Sequence, residues 1–221
     1  MKYNVAIDGP AGAGKSTIAK MVAKKLGFIY VDTGAMFRAI ALYLLRNNIK
    51  EEETEKISSA VEEIQVTIAY ENGEQQVILN NENVSGFIRT EEVGKMASVA
   101  AKNKDVRQKL LELQRSLAQT ENVIMDGRDI GTHVLPKAEV KIYLTASSKE
   151  RARRRHLELT KKGISCDIDT IEKDIIARDE QDMNRTIAPL KKAEDAILLD
   201  SSDMTIEEVV EKIMSIIKLH R

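Results

Sequence analysis

The residues with the clearest chemical meaning lie at positions 5–17, where an apolar run breaks into a glycine-rich turn and then into a helical pattern. The segment GPAGAGKS, which begins at Gly9, fits G-x-x-x-x-G-K-[ST], in which backbone N–H groups surround the phosphates of a nucleoside triphosphate. Lys15 is expected to place a positive charge beside the β- and γ-phosphates, and Ser16 to supply a hydroxyl for Mg²⁺. The expected triphosphate contacts are Gly9, Pro10, Ala11, Gly12, Ala13, Gly14, Lys15, Ser16 and Thr17.

A glycine-rich turn can match this motif by chance, so the flanking sequence decides between the two interpretations. A short apolar run precedes the turn, and apolar residues recur at helical spacing from Ile18 to Leu26. This is the strand, loop and helix context that a phosphate-binding loop requires. We therefore favour the phosphate loop.

A second polar group follows an apolar run at 122–125, where the chain continues Asp126-Gly-Arg128-Asp129. A buried strand brings such residues to the edge of a parallel sheet at which ligands bind. Asp126 is placed to hold Mg²⁺ through water, and Arg128 and Asp129 are expected to reach further into the site. One acid after a strand would be an ordinary helix cap, but consecutive polar and glycine residues favour a site.

Four arginines occupy five positions, from Arg151 to Arg155. Most charge runs are solvated helix faces. Here the chain is otherwise neutral, and we expect that neighbouring arginines in one helix cannot all find acidic partners four residues away. A lid that clamps phosphate is therefore the preferred interpretation.

Further along, Arg178 and Asp182 are four residues apart in a segment predicted to be helical in its first part, and Arg185 lies one turn later. An exposed ion pair between Arg178 and Asp182 is the alternative to a binding role. The single cysteine, Cys166, excludes an internal disulfide and is expected to be an inert thiol, and the three histidines are scattered.

Strands and helices alternate along most of the chain, which predicts an α/β fold with a parallel sheet. The runs at 5–8, 27–32, 122–126, 140–144 and 196–200 are the expected strands. Two β-runs joined by Asn72-Gly73 predict a hairpin. Thr90 and Thr205 are expected helix N-caps. The expected core stripe of the helix after Asn103 is Val106, Leu110, Leu113 and Leu117.

Length and composition agree with one α/β domain carrying an insertion, since the chain has 221 residues and 43% hydrophobic content. The net charge of −1 does not indicate a nucleic-acid or membrane-surface binder. No apolar stretch approaches the length of a membrane span, so we expect a cytoplasmic protein. We also expect a monomer. The expected core is 1–33, 101–147 and 186–221, with an insertion at 34–100 and a lid at 148–168.

Five segments carry a resemblance to a known family: GPAGAGKST at 9–17, DTGAMFR at 32–38, VSGFIRT at 84–90, DGRDIG at 126–131 and RDEQDMNR at 178–185. Together and in this order they resemble bacterial cytidylate kinases, within the nucleoside monophosphate kinase family, along essentially the whole chain. The resemblance implies transfer of the γ-phosphoryl group of ATP to CMP or dCMP, with Mg²⁺. It also implies a phosphate-loop five-stranded parallel core, a monophosphate-binding insertion with a small antiparallel sheet, and a helical lid.

The same resemblance implies a role for each matching residue. Catalytic roles fall on Lys15, Arg128, Asp129, Arg178 and Arg185. Arg38 and Arg128 look like the pair that grips the CMP phosphate. The other substrate contacts are Thr33, Ser98, Arg107, Asp129, Arg178, Asp182 and Arg185, and the lid arginines that contact ATP are Arg151, Arg154 and Arg155. Phe37 departs from the family, which often has tyrosine there.

The chemistry of cytosine agrees with this set, because its N4 amino group suits a carboxylate such as Asp129, while Arg107 and Ser98 suit its acceptors. Uracil would present an acceptor to the carboxylate instead. A kinase for UMP, shikimate or dephospho-coenzyme A is the nearest alternative. A GTP-dependent switch would need N-K-x-D in register, and the chain has only Asn103-Lys-Asp-Val106, out of register.

Overall fold

The computed structural model describes residues 2–221, which form two sheets and eight α-helices. The strands are β1 (Asn4–Asp8), β2 (Ile29–Asp32), β3 (Val66–Glu71), β4 (Glu74–Leu79), β5 (Glu82–Asn83), β6 (Val123–Gly127), β7 (Val140–Thr145) and β8 (Ile197–Asp200). The helices are α1 (Lys15–Leu26), α2 (Thr33–Arg46), α3 (Thr54–Glu63), α4 (Glu91–Ala100), α5 (Lys104–Thr120), α6 (Ser148–Lys161), α7 (Ile168–Asn184) and α8 (Ile206–Leu219), with a π-helical turn at Ile130–Val134.

The larger sheet has five strands in the order β2-β6-β1-β7-β8. The pairs β1–β7 and β7–β8 are parallel, with Val5 opposite Val140 and Asp8 opposite Tyr143. Strands β1 and β6 are almost wholly buried, as expected of parallel strands covered on both faces. The predicted five-stranded parallel α/β fold is confirmed.

The smaller sheet is antiparallel, in the order β3-β4-β5. Strands β3 and β4 are joined by Asn72 and Gly73, whose φ angles of 53° and 79° are both positive. Such a two-residue turn matches the twist of the strands that it joins. The predicted hairpin is therefore confirmed.

Helix ends follow the sequence signals. The Thr90 side chain accepts from Val93 N at 3.3 Å, and Thr205 forms a capping box with Glu208. Helix α7 continues to Asn184, further than the expected partial helix.

The predicted core stripe of α5 is wrong in part. Val106 and Leu110 are buried, but Leu113 and Leu117 are only half-buried. The buried face runs instead through Leu111, Gln114 and Ala118, besides Arg107. Apolar residues spaced by three or four positions can lie on either of two adjacent helix faces. Here the buried face includes the polar side chains Arg107 and Gln114, which an apolar pattern does not reveal.

The chain divides into two compact units. One is built mainly from Ile29–Val123, and the other from Tyr3–Phe28 and Ile124–Arg221. Within residues 2–221, none of the helices combines the length and the apolar character that a membrane-spanning segment needs.

Gly9→Ala is expected to destabilise the protein by about 3 kcal/mol or more, because its backbone conformation and surroundings exclude a side chain. Gly9 has φ +149°, and a Cβ there would lie 1.9 Å from the Leu144 carbonyl oxygen. Gly86→Ala is the matched control, because its Cβ meets nothing within 4 Å. Urea unfolding measures both changes, and equal midpoints for the two variants would contradict the prediction.

Candidate active site

The phosphate loop connects β1 to α1 and has the backbone that its glycines allow. Gly14 has φ 85° and forms the N-cap of α1 without a side-chain hydrogen bond. The first N–H groups of α1 therefore receive no side-chain cap from that position, and the positive end of the helix dipole points toward the loop. This is the backbone arrangement that binds phosphate.

Lys15 is a buried cation at the start of α1, with 5% of its surface exposed. Its Nζ donates to the Pro10 carbonyl oxygen at 2.8 Å. It forms no ion pair within 4.0 Å among residues 2–221. Burial, helped by the charge of Arg128 and opposed by three carboxylates, lowers the pKa of Lys15 to about 7. A buried ammonium held only by a carbonyl is stabilised when an anion arrives.

Ser16 and Asp126, which the sequence analysis each related to Mg²⁺, lie within hydrogen-bond distance of each other. The Ser16 hydroxyl donates to Asp126 Oδ2 at 2.9 Å, and Asp126 lies near the end of β6. A hydroxyl and a carboxylate are the hard oxygen ligands that Mg²⁺ prefers.

Four side chains after β6 and at the end of α7 form a chain of alternating charge. Arg128 Nε contacts Asp182 Oδ2 at 2.8 Å, and Asp182 Oδ1 lies 3.9 Å from Arg185 Nη1. Arg185 Nη2 contacts Asp129 Oδ1 at 3.1 Å. All four side chains are largely buried, so each charge has a neighbour of opposite sign.

Arg178 on α7 differs from these arginines. It forms no ion pair within 4.0 Å in the described part of the chain, and its buried Nε has no hydrogen-bond partner there. Burial and the charge of Arg128 lower the pKa of Arg178. The alternative of an exposed Arg178–Asp182 ion pair is wrong, because Asp182 turns to Arg128 and Arg185 instead.

In the arginine run on α6 only Arg154 pairs with an acid four residues away, as the sequence premise expected, but all four arginines have acidic partners. Arg153 and Arg154 share Glu150, and Arg155 pairs with Glu158. Three arginines use acids three or four residues away, and Arg154 also donates to the Ser201 carbonyl oxygen at 2.6 Å.

Arg151 is buried and donates a hydrogen bond to the backbone of the phosphate loop. Its Nη1 donates to the Ala11 carbonyl oxygen at 2.9 Å, and its Nε donates to the Ala146 carbonyl oxygen at 2.9 Å. Its Nη2 pairs with Asp179 of α7 at 2.7 Å. Arg151 thus links the loop to the helix that carries Arg178 and Asp182.

The unit built from Ile29–Val123 holds Thr33 and Arg38 on α2. Asp32 caps this helix by accepting from Ala35 N at 2.9 Å, and its other carboxylate oxygen pairs with Arg89 at 2.6 Å. Arg38 Nη1 donates to the Ile88 carbonyl oxygen at 3.1 Å. Asp32 and Arg89 thus fix the start of α2.

Ser98 and Arg107 belong to the same unit. The Ser98 hydroxyl donates to the Gly94 carbonyl oxygen within α4 at 3.2 Å. Arg107 is buried on α5, donates to the Ala101 carbonyl oxygen at 3.3 Å, and lies 5.6 Å from the centre of the Phe37 ring. Phe37 therefore offers its ring face to a cation, a contact that needs no hydroxyl.

A family model described as cytidylate kinase matches residues 5–219. The chain belongs to the cytidylate kinase family. A cytidylate kinase of Caldicellulosiruptor saccharolyticus is 53% identical over 215 residues, which cover 97% of this chain and 95% of the relative. Another from Shouchella clausii is 48% identical over 218 residues, covering 99% and 97%. The resemblance drawn from the motifs is confirmed.

A solved structure of an uncharacterized protein from Eubacterium ventriosum also resembles this chain. Its TM-score is 0.55 and its identity is 13%, with 99% of each chain covered. At that identity the likeness concerns the fold alone.

Sequence reasoning assigned no role to several acids that organise this member of the cytidylate kinase family. Asp8 accepts backbone N–H groups from Ile130 and Gly131, and Asp179 holds Arg151. Asp8 had a visible signal, since it is an acid that ends an apolar strand directly before the phosphate loop. Asp179 had none, because its partner lies 28 residues earlier on another helix.

The Lys15 pKa predicts a pH-dependent stability in the nucleotide-free protein. Since this pKa falls from 10.5 to about 7 on folding, the unfolded chain binds more protons here between these values. The contribution of Lys15 to the free energy of unfolding therefore rises with pH over that window. Compared with Lys15→Met, the parent should gain stability from about pH 7 to about pH 10. Urea unfolding of both proteins measures this, and a difference that stays constant with pH would contradict it.

Proposed function

We propose that this chain transfers the γ-phosphoryl group of ATP to CMP or dCMP, giving ADP and CDP or dCDP, without a covalent enzyme intermediate. The observation that carries the proposal is a pair of cations, the buried Lys15 and the half-buried Arg178. Both lack a carboxylate within 4.0 Å among residues 2–221, and the charge of Arg128 affects both. Desolvation and a neighbouring positive charge disfavour the charged form of these groups, and a bound polyanion would stabilise it. Membership of the cytidylate kinase family supports the same activity.

On the donor side, we assign the phosphates of ATP to the loop from Gly9 to Thr17 and to Lys15. Ser16 and Asp126 fit Mg²⁺, and no cluster of three or more metal-ligating side chains occurs within residues 2–221. Mg²⁺ commonly uses one or two carboxylates together with substrate phosphates, so two protein ligands suffice. When bound, the ion would neutralise phosphate charge, and Asp126 would orient Ser16 for it.

On the acceptor side, we assign the monophosphate to Arg38 and Arg128. The cytosine is assigned to Ser98, Arg107 and Asp129, because a carboxylate accepts from an amino group and the other two donate to its acceptor atoms. The remaining contacts to the sugar and the transferring phosphate are assigned to Thr33, Arg178, Asp182 and Arg185.

The reaction requires little chemistry from the protein beyond position and charge. The attacking atom is a phosphate oxygen that is already anionic near neutral pH, so no strong general base is needed. Arg128 and Arg185 are held by Asp182 and Asp129, which fixes the positions of their guanidinium groups. Lys15 and Arg178 are the cations that neutralise charge on the transferring group.

The lid arginines fall into two groups under this proposal. Arg154 and Arg155 pair with acids on their own helix. The Arg155–Glu158 pair is exposed and contributes little, so phosphate oxygens can replace Glu158 there, whereas Arg154 shares the largely buried Glu150 with Arg153. Arg151 acts on ATP through the loop, since each of its nitrogen groups already has a protein partner. A monomeric state and a cytoplasmic location stay predictions.

Phosphoryl transfer to CMP, dCMP, UMP, AMP and GMP, measured as ADP formation from ATP with Mg²⁺, tests the substrate. The cytidine nucleotides should be clearly preferred. Equal activity with UMP would overturn the assignment of the base contacts, and activity with none of the five would overturn the proposed function.

Lys15→Ala should lower kcat by about 100-fold or more, because it removes a positive charge directed at the transferring phosphoryl group. Lys24→Ala, at an exposed position of the same helix, is the control and should keep the parental kcat. Steady-state kinetics measure kcat for both variants, and circular dichroism checks that each is folded. Unchanged turnover in a folded Lys15→Ala protein would exclude this role.

Asp129→Ala should reduce the preference for CMP over UMP, measured as the ratio of kcat/KM values, by about tenfold or more. The carboxylate accepts from the cytosine amino group and repels the uracil carbonyl. Asp203→Ala, at an exposed position, should keep the parental ratio. If Asp129→Ala also keeps it, Asp129 does not read the base.

A further inference from the structure

We propose that Asp8 is a positioning residue whose carboxylate fixes the segment carrying Arg128 and Asp129 relative to the phosphate loop. This inference rests on the proposed function for its kinetic consequences. Its structural part concerns one buried side chain and two backbone N–H groups.

Asp8 is 4% exposed. Both of its carboxylate oxygens accept hydrogen bonds from backbone N–H groups of one turn. Oδ1 accepts from Ile130 N at 2.8 Å, and Oδ2 accepts from Gly131 N at 2.7 Å. These N–H groups open the π-helical turn Ile130–Val134, whose preceding residue provides no side-chain cap. The carboxylate therefore satisfies donors that a helical turn leaves open.

The backbone on both sides of Asp8 is held in place. Asp8 pairs with Tyr143 in the sheet register, and the next residue, Gly9, packs so closely on the Leu144 carbonyl that a Cβ has no room. Asp8 is thus a fixed point at the entrance of the phosphate loop.

The segment that Asp8 holds is very short. Strand β6 ends at Gly127, and Ile130 is the first residue that Asp8 contacts, so only Arg128 and Asp129 lie between the two attachments. The sheet fixes one end of this dipeptide and the Asp8 carboxylate fixes the other. A shift of the second attachment moves both side chains that we assign to the acceptor nucleotide.

The electrostatics agree with a carboxylate that acts as an acceptor. Burial raises the pKa of Asp8 to about 6, the two N–H groups oppose this shift, and the charges of Asp129 and Lys15 act in opposite directions. Near neutral pH Asp8 is ionised and both oxygens can accept. Asn would keep the shape but would direct an amide N–H₂ group at a backbone N–H.

The test compares Asp8→Asn with the parent in kinetics and in amide hydrogen exchange. Exchange at Ile130 and Gly131 should become about tenfold faster or more, while the amides of β1 keep their protection. The kcat/KM for CMP should fall about 10- to 100-fold, as when a supporting residue behind an active-site group is changed, and the KM for ATP should stay within about threefold. Asp195→Asn is the control, since this acid pairs with Lys141 and is largely exposed.

A double-mutant cycle separates positioning from general destabilisation. In an Asp129→Asn background, adding Asp8→Asn should lower kcat/KM for CMP by a smaller factor than in the parent, because one of the two side chains that it positions is already impaired. Gly131→Ala crowds the same contact, since its Cβ would lie 3.3 Å from Asp8 Oδ2 and 3.2 Å from Lys141 Cδ at the end of a flexible side chain, and should show the same pattern if Asp8→Asn does not fold.

Unchanged exchange at Ile130 and Gly131, or fully additive effects with equal losses for ATP and CMP, would overturn the proposal. A parent that is inactive on CMP would instead overturn the proposed function. In that case the exchange measurement still decides whether Asp8 holds the turn.

Discussion

The site depends on cationic side chains that are removed from water without a neighbouring carboxylate to pair with. Lys15 is bound to a carbonyl oxygen, Arg178 has no acid within 4.0 Å in the part of the chain that the structure describes, and the charge of Arg128 affects both. Desolvation makes this arrangement unfavourable in the nucleotide-free protein and makes the binding of phosphate correspondingly favourable. The protein is therefore less stable because of cations at the positions to which we assign the phosphates of its substrates.

Two other arginines of the site are neutralised by carboxylates. Arg128 and Arg185 are balanced by Asp182 and Asp129, so their positions are fixed before any substrate binds. Because a guanidinium has several donors, one ion pair leaves others for an anion. Arg151 has a different task, since its donors hold the phosphate loop and α7 rather than remaining open toward a ligand.

Acids supply much of the rigidity behind these cations. Asp8 at the end of β1, Asp32 at the start of α2 and Asp179 on α7 each hold backbone or an arginine next to a segment with a proposed role. These carboxylates thus hold the elements that carry the cations we assign to the substrates. Removing such an acid is expected to act on the reaction through the position of its neighbours.

The sequence by itself determined the phosphate loop, the parallel sheet, the Asn72-Gly73 hairpin and the family. These depend on local spacing and on strand ends that must meet at one sheet edge. Only the tertiary structure decided the partners of the charged side chains. Acids three or four residues away neutralise the lid arginines other than Arg151, Asp182 turns from Arg178 to Arg128, and the buried face of α5 includes Arg107. Charge pairing depends on distances between elements far apart in the chain, which local spacing does not encode.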